Sequence, residues 1–176
     1  MTDPKQELRQ KILSKIQPPR IGPNKTEAVP DAKRLQTERL QAAIDALSAA
    51  GGGVLVFPAG IYRTGALHLK SGVELHLASP KTLLTFIPEE PERNYPLVLS
   101  HWEASPCYNY SALLYAKDAH DIAVTGCGTL DGGADEDHWW NWHHQVEDSW
   151  SADKPDLQLA ARKALRRMNE EGVPVA

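Results

Sequence analysis

Asp131, Asp135, Glu136 and Asp137 form the densest carboxylate run in the chain, and His138, His143 and His144 lie close behind it. A carboxylic acid and a carboxylate held apart are what glycosidic hydrolysis requires, one to protonate the leaving oxygen and one to activate a water. Imidazole mixed with carboxylate also suits zinc or a related ion. The spacing specifies neither chemistry. Asp131 stands in Thr-Leu-Asp-Gly, where Asp-Gly is turn chemistry, and the histidines lack a recognised ligand spacing. The run is therefore read as a turn and a loop, with no metal and no cofactor expected.

Trp102, Trp139, Trp140, Trp142 and Trp150 are the five tryptophans, four of them in one stretch. Sugar rings present C–H faces that pack on indole, so tryptophans at a groove make a saccharide platform. Packing under their own loop is the preferred reading of the cluster. An acidic sugar also needs cations, for which Arg63, Lys70 and Arg93 are candidates, although scattered surface cations are ordinary. His68 and His76 alternate with leucines and are expected to face outward. Arg162, Lys163, Arg166 and Arg167 form the one basic cluster. Ala161, Ala164, Leu165 and Met168 fall among them at helical spacing, so the cluster is read as a solvated helix face.

The formal net charge of -4 speaks against a nucleic-acid footprint, and no run approaches the ~18 apolar residues of a membrane helix. The 176 residues suit one domain. Cys107 and Cys127 are too few for a disulfide framework, and two free buried thiols are expected. The start has no apolar signal core, which favours the cytoplasm, or a secreted or periplasmic protein if a signal was removed.

Three segments must position these residues. In 1–34, Thr2 or Asp3 before Pro4 opens a helix with Leu8, Ile12, Leu13 and Ile16 on one face, and a proline-rich stretch after it reads as an extended linker. In 35–133, a helix from about Thr37 to Ala50 buries Leu40, Ala43, Ile44 and Leu47 and stops at Gly51 to Gly53. The period then changes to two. Strands are expected at Val54–Phe57, Ala66–Leu69, Val73–Leu77, Thr82–Ile87, Ala112–Ala116 and Asp121–Thr125. Such short strands at close spacing suit a sandwich or a stack of solenoid coils. In 134–176, a Trp/His-rich loop precedes a third helix from Leu157 to Met168, closed by Gly172.

The order "LQAAIDALSAAGGGVLVFPAGIYRTGALHLKSGVELHL", then "YSALLYAKDAHDIAVTGCGTLDG" and a Trp-Trp pair, resembles the N-terminal portion of glycoside hydrolase family 28, the polygalacturonases, over residues 37–143. "LSHWEASPCYNYS" is also similar to bacterial members. The resemblance implies a mainly β fold, a pectin-lyase-like right-handed parallel β-helix, here its first coils with an N-terminal cap helix and flanking helices. It implies inverting hydrolysis of α-1,4-galacturonan or a related pectic polysaccharide, with pectic polysaccharide or oligogalacturonide as partner and neither nucleic acid nor membrane. Trp102 and Glu103, with Arg63, Trp139 and Trp140, are the candidate substrate-binding residues.

The acid-bearing segments that the resemblance implies, Asn-Thr-Asp-Gly and Asp-Asp, do not occur here, nor do its Gly-His-Gly and Arg-Ile-Lys segments. No catalytic residue is therefore assigned, and the chain alone is expected to be inactive. A carbohydrate-binding module and a structural β-helix cap are the alternatives. A stack ending in an open coil would also be prone to self-association.

Overall fold

In the computed structural model, residues 3–15, 17–135, 137–138 and 159–175 are described. Helix α1 (Pro4–Leu13) starts where Asp3 accepts the Lys5 N–H at 3.0 Å. On its apolar stripe Leu8, Ile12 and Leu13 are all exposed, and Ile16 lies outside the described residues.

The segment after α1, expected to be a linker, supplies two strands, β1 (Asn24–Glu27) and β2 (Asp31–Leu35). Both pair in parallel, β1 with β3 (Gly53–Phe57) and β2 with β4 (Gly60–Thr64). They carry no apolar alternation because they sit at sheet edges and are held through backbone bonds. Asn24 adds side-chain bonds to the Ala50 and Gly52 carbonyls, at 3.0 and 2.8 Å.

From β3 onward the chain repeats a circuit. Strands β1, β3, β6 (Val73–Leu77) and β11 (Ala123–Gly126) lie side by side in one parallel sheet. Strands β2, β4, β7 (Thr82–Phe86) and β12 (Thr129–Asp131) form a second. Strands β5 (Leu67–His68) and β10 (Leu114–Tyr115) form a third parallel pair. Two passes, β3–β4–β5 and β6–β7–β10, visit all three sheets, and β11 and β12 add a further strand to the first two.

In-register parallel pairing stacks like on like. Leu55, Leu75 and Val124 make one column, Tyr62, Leu84 and Leu130 another, and Leu67 with Leu114 a third. Leu55, Leu75, Tyr62, Leu84 and Leu67 are fully buried, each worth about 2 kcal/mol of apolar burial. Val124 and Leu130, at the last pass, remain 42% and 43% exposed. The Tyr62 ring stands edge-on to Phe57 at 5.1 Å, and its hydroxyl donates to the Pro58 carbonyl at 3.0 Å.

Helix α2 (Thr37–Ala49) lays Leu40, Ile44 and Leu47 on this same core. Its polar side chains then do the work of a missing strand. The Gln41 amide accepts from the His68 N–H at 2.8 Å and donates to the His68 carbonyl at 3.0 Å, pairing the edge of β5 that faces away from β10. Thr37 Oγ1 accepts from the Gly65 N–H and Ser48 donates to the Ser71 carbonyl. The helix ends at glycines because the turn needs them. Gly52 has φ +92°, and a Cβ there would stand 2.5 Å from the Gly72 carbonyl oxygen.

One excursion leaves the stack. After the short helix α3 (Pro91–Asn94), strands β8 (Leu97–Trp102) and β9 (Ser105–Tyr110) form an antiparallel hairpin before β10 resumes the circuit. Neither of these two strands is among those expected from the sequence. The last helix, α4 (Leu159–Glu170), packs against β9. Both cysteines are free, but neither is buried as expected. Cys107 is half-buried in β9, and Cys127 is exposed just past the Gly126 turn.

Candidate functional site

The hairpin is anchored at its base and loaded at its tip. Ser111 donates its N–H to the Pro96 carbonyl, and the Tyr115 hydroxyl donates to the Leu99 carbonyl at 2.9 Å, fixing the hairpin beside β5 and β10. Trp102 pairs with Ser105, leaving a two-residue turn of Glu103 and Ala104. Both have positive φ, 44° and 66°. Asn-Gly is the favoured pair for such a turn, and each L-residue held there costs about 1–2 kcal/mol. Glu and Ala are poor turn residues, so the turn itself does not account for them.

What Glu103 does is visible across the gap to α4. Arg162 and Arg166, one helical turn apart, both reach its carboxylate. Arg162 Nη2 lies 3.5 Å from Oε1, and Arg166 Nη2 pairs closely with Oε2. The same guanidinium groups stand over the Trp102 ring, with their central carbons 5.1 and 5.8 Å from its centroid. Arg162 Nε is shielded from solvent and has no hydrogen-bond partner among the described residues. Among the described residues the cluster combines two guanidiniums, one carboxylate and one indole, with one positive charge in surplus.

Trp102 and Glu103, two of the candidate substrate-binding residues, are both in contact with Arg162 and Arg166 of the basic cluster expected to be a solvated helix face. The signal available was the i, i+4 spacing of Arg162 and Arg166, which puts both on one side of a helix.

Arg63 lies elsewhere, half-buried on β4 in register with Thr85 of β7 and Leu35 of β2. Arg93 is exposed and paired with Glu90 at 3.4 Å. Trp139, Trp140, Trp142, Trp150, Glu136, His143 and His144 lie outside the described residues.

The carboxylate run resolves into local structure. Asp131 Oδ1 accepts from the Gly133 N–H at 3.0 Å, a turn bond. Asp135 accepts from the N–H groups of Asp137 and His138 and from His138 Nδ1 at 2.6 Å. Desolvation pushes its carboxyl up, and these bonds outweigh that to hold it below the ordinary carboxylate range. Among the described residues, no three His, Cys, Asp or Glu side chains converge as metal ligands would.

His68 and His76 face away from the core on their strands. His76 Nδ1 meets Thr125 Oγ1 at 2.7 Å, and the Thr125 hydroxyl donates to Glu74. The His68 ring leans on Tyr115 and reaches Ser111 Oγ at 3.2 Å. Partial burial, with help from Lys70, lowers its pKa below the usual imidazole value. His68, Lys70, Tyr115 and Lys117 line an open hollow of about 440 Å³ below the hairpin. Lys117 is tied to Asp118 at 2.9 Å, leaving Lys70 as the cation of that hollow with no ion pair among the described residues.

No protein-family model matches the chain, and no curated protein matches it significantly. Solved structures do. A hyperthermoactive exopolygalacturonase from Thermotoga maritima superposes with a TM-score of 0.83 and 38% identity, over 97% of this chain. The family 28 exopolygalacturonase of Yersinia enterocolitica is 31% identical over 63% of this chain and 21% of its own, with a TM-score of 0.52. The chain is a relative of the family 28 polygalacturonases. A glycosyl hydrolase structure from Parabacteroides merdae ATCC 43184, 22% identical over 86% of this chain and 54% of its own, shares the fold at a TM-score of 0.51.

The chain spans 38% of the length of the Thermotoga exopolygalacturonase. The shared fold of these relatives is the mainly β stack of parallel sheets described above, and the acid-bearing segments implied by the family resemblance are not in this sequence.

Proposed function

We propose that the chain forms the front coils of a right-handed parallel β-helix, capped by α2, in a glycoside hydrolase that cleaves α-1,4-galacturonan or a related pectic polymer with inversion. The observation that carries this is the agreement with the Thermotoga exopolygalacturonase across 97% of the chain. The internal geometry agrees with it, since three parallel sheets visited in turn are what coils require. In this reading the chain contributes substrate contact and no acid or base, so by itself it binds pectic oligosaccharide without turning it over. The contact residues are Trp102 and Arg63, with Trp139 and Trp140, and Glu103 stands beside Trp102 at the edge of that surface. The open columns at Val124 and Leu130 are its route to self-association.

Two assays on the purified 176-residue chain test the reading. Reducing-end release from polygalacturonate should be indistinguishable from buffer, whereas calorimetry with trigalacturonate should show saturable binding. Turnover would overturn the assignment of catalysis to residues outside this sequence. Flat calorimetry across galacturonate and rhamnogalacturonan oligosaccharides would overturn the substrate class.

A further inference from the structure

Trp102 and Glu103 offer α4 two things in adjacent positions: an anionic carboxylate and a flat ring with an apolar face. A uronosyl residue offers the same pair, a carboxylate attached to a ring whose C–H face is apolar. Arg162 and Arg166 engage both features together, one carboxylate between them and one ring beneath them. Each guanidinium takes one oxygen of the carboxylate, and the same planar cations suit a flat ring.

From this we propose that Arg162 and Arg166 form a subsite for the carboxylate of a uronosyl unit, and that Glu103 occupies it as an internal competitor. The inference rests on the pectic substrate class proposed above and adds to it a specific pair of residues.

Three observations converge on exchange at this site. Glu103 is held at positive φ in a turn that disfavours it, so its presence is explained by its carboxylate and not by the turn. Among the described residues the cluster keeps a surplus positive charge, and Arg162 Nε has no hydrogen-bond partner. The participants are reachable, with the Arg162, Arg166 and Glu103 side chains 36%, 55% and 44% exposed. An entering uronate carboxylate takes the guanidinium bonds, and Glu103 turns to water.

The test is calorimetry with trigalacturonate on the whole chain, comparing Glu103→Gln, Arg162→Gln, Arg166→Gln and Ala104→Gly with the parent, each checked by its thermal melt. Removing the competing charge should tighten binding about 5-fold to 10-fold in Glu103→Gln. Each arginine variant should weaken binding at least 10-fold. Ala104→Gly relaxes the turn without touching the carboxylate and should bind as the parent does.

Weaker binding by a folded Glu103→Gln overturns the competitor role. Binding unchanged in both arginine variants overturns the subsite while leaving the pectic reading intact. Absence of binding in the parent and in Glu103→Gln alike overturns both. Reduced galactose oligosaccharides, which lack the carboxylate, should not distinguish the arginine variants from the parent, and a clear difference there would also overturn the carboxylate assignment.

Discussion

Replacing Gln41 by Met should destabilise the fold far more than a half-buried helix position ordinarily would. Met is close to Gln in length and in helix propensity, so α2 itself is spared. What disappears is the pair of bonds to the His68 N–H and carbonyl, at 2.8 and 3.0 Å, that close the free edge of β5. Each such bond is worth about 1 kcal/mol net, and rather more where the stranded group cannot reach water. The i, i+4 contact with Asp45 adds a few tenths at most. A total of about 2–3 kcal/mol corresponds to a fall in melting temperature of roughly 5–10 °C for a chain of this size. Thermal melts followed by circular dichroism read this directly. Gln41→Glu is the companion variant. It retains an acceptor for the N–H but loses the donor to the carbonyl and sets a second negative charge one turn before Asp45, so it should lose a similar amount at neutral pH. A Gln41→Met protein melting within about 1 °C of the parent would refute the idea that this amide stands in for a strand.

Other outcomes follow from the same geometry. Gly126→Ala should cost at least about 2 kcal/mol, since the residue has φ +100° and a Cβ would overlap the Leu77 carbonyl; denaturant midpoints measure it. His68, whose pKa is lowered by partial burial and Lys70 against a smaller opposing pull from Asp45, binds fewer protons folded than unfolded. Stability should therefore decline as pH falls below about 6.5, and His68→Gln should flatten that slope in pH-dependent melts. Asp31 and Asp121, held low by backbone N–H groups, act in a different window, losing their contribution only as pH falls through the range below the ordinary carboxylate value. Sedimentation velocity should show self-association of the parent at micromolar concentrations, and Val124→Lys with Leu130→Lys should abolish it by charging the open columns.

The elements legible in the sequence are those whose side chains alternate against a core. β6 falls on its expected residues, Val73 to Leu77, and α2 ends within one residue of expectation, because Leu40, Ile44 and Leu47 carry an unbroken helical stripe. The elements missed carry a weaker apolar signal, including β4 and β12, in which Ile61, Tyr62 and Leu130 are the large apolar residues. β1 and β2 are edge strands held by backbone pairing, so Asn-Lys-Thr-Glu shows no apolar signal. The hairpin was hidden by its turn, since Glu-Ala lacks the Asn-Gly signature that would have announced it. For the candidate site, Trp102 and Glu103 were found by residue type and resemblance. Arg162 and Arg166 were not, because no local pattern says that a helix near residue 165 will meet a turn near residue 103. That meeting is long-range information.

The energies at the hairpin tip explain why a contact of this kind can serve exchange. Two ion pairs between groups a third to a half exposed give about 0.5 kcal/mol each once solvent screening is counted. The two guanidiniums over Trp102 add about 0.5–1 kcal/mol each at such exposure. Against roughly 2–3 kcal/mol of gain stand about 2–4 kcal/mol of backbone strain at Glu103 and Ala104. The two sides nearly cancel, so the tip is held in place by the rest of the hairpin and by the packing of α4 on β9, and not by the charges. On leaving, the Glu103 side chain gives up only its two screened ion pairs, about 1 kcal/mol together, because the strain of the turn is the same whether or not the carboxylate is in place. A competing carboxylate need supply only a modest advantage to displace the Glu103 side chain, while the anchored hairpin, with Tyr115 bonded to Leu99, keeps Trp102 in place beside the arginines.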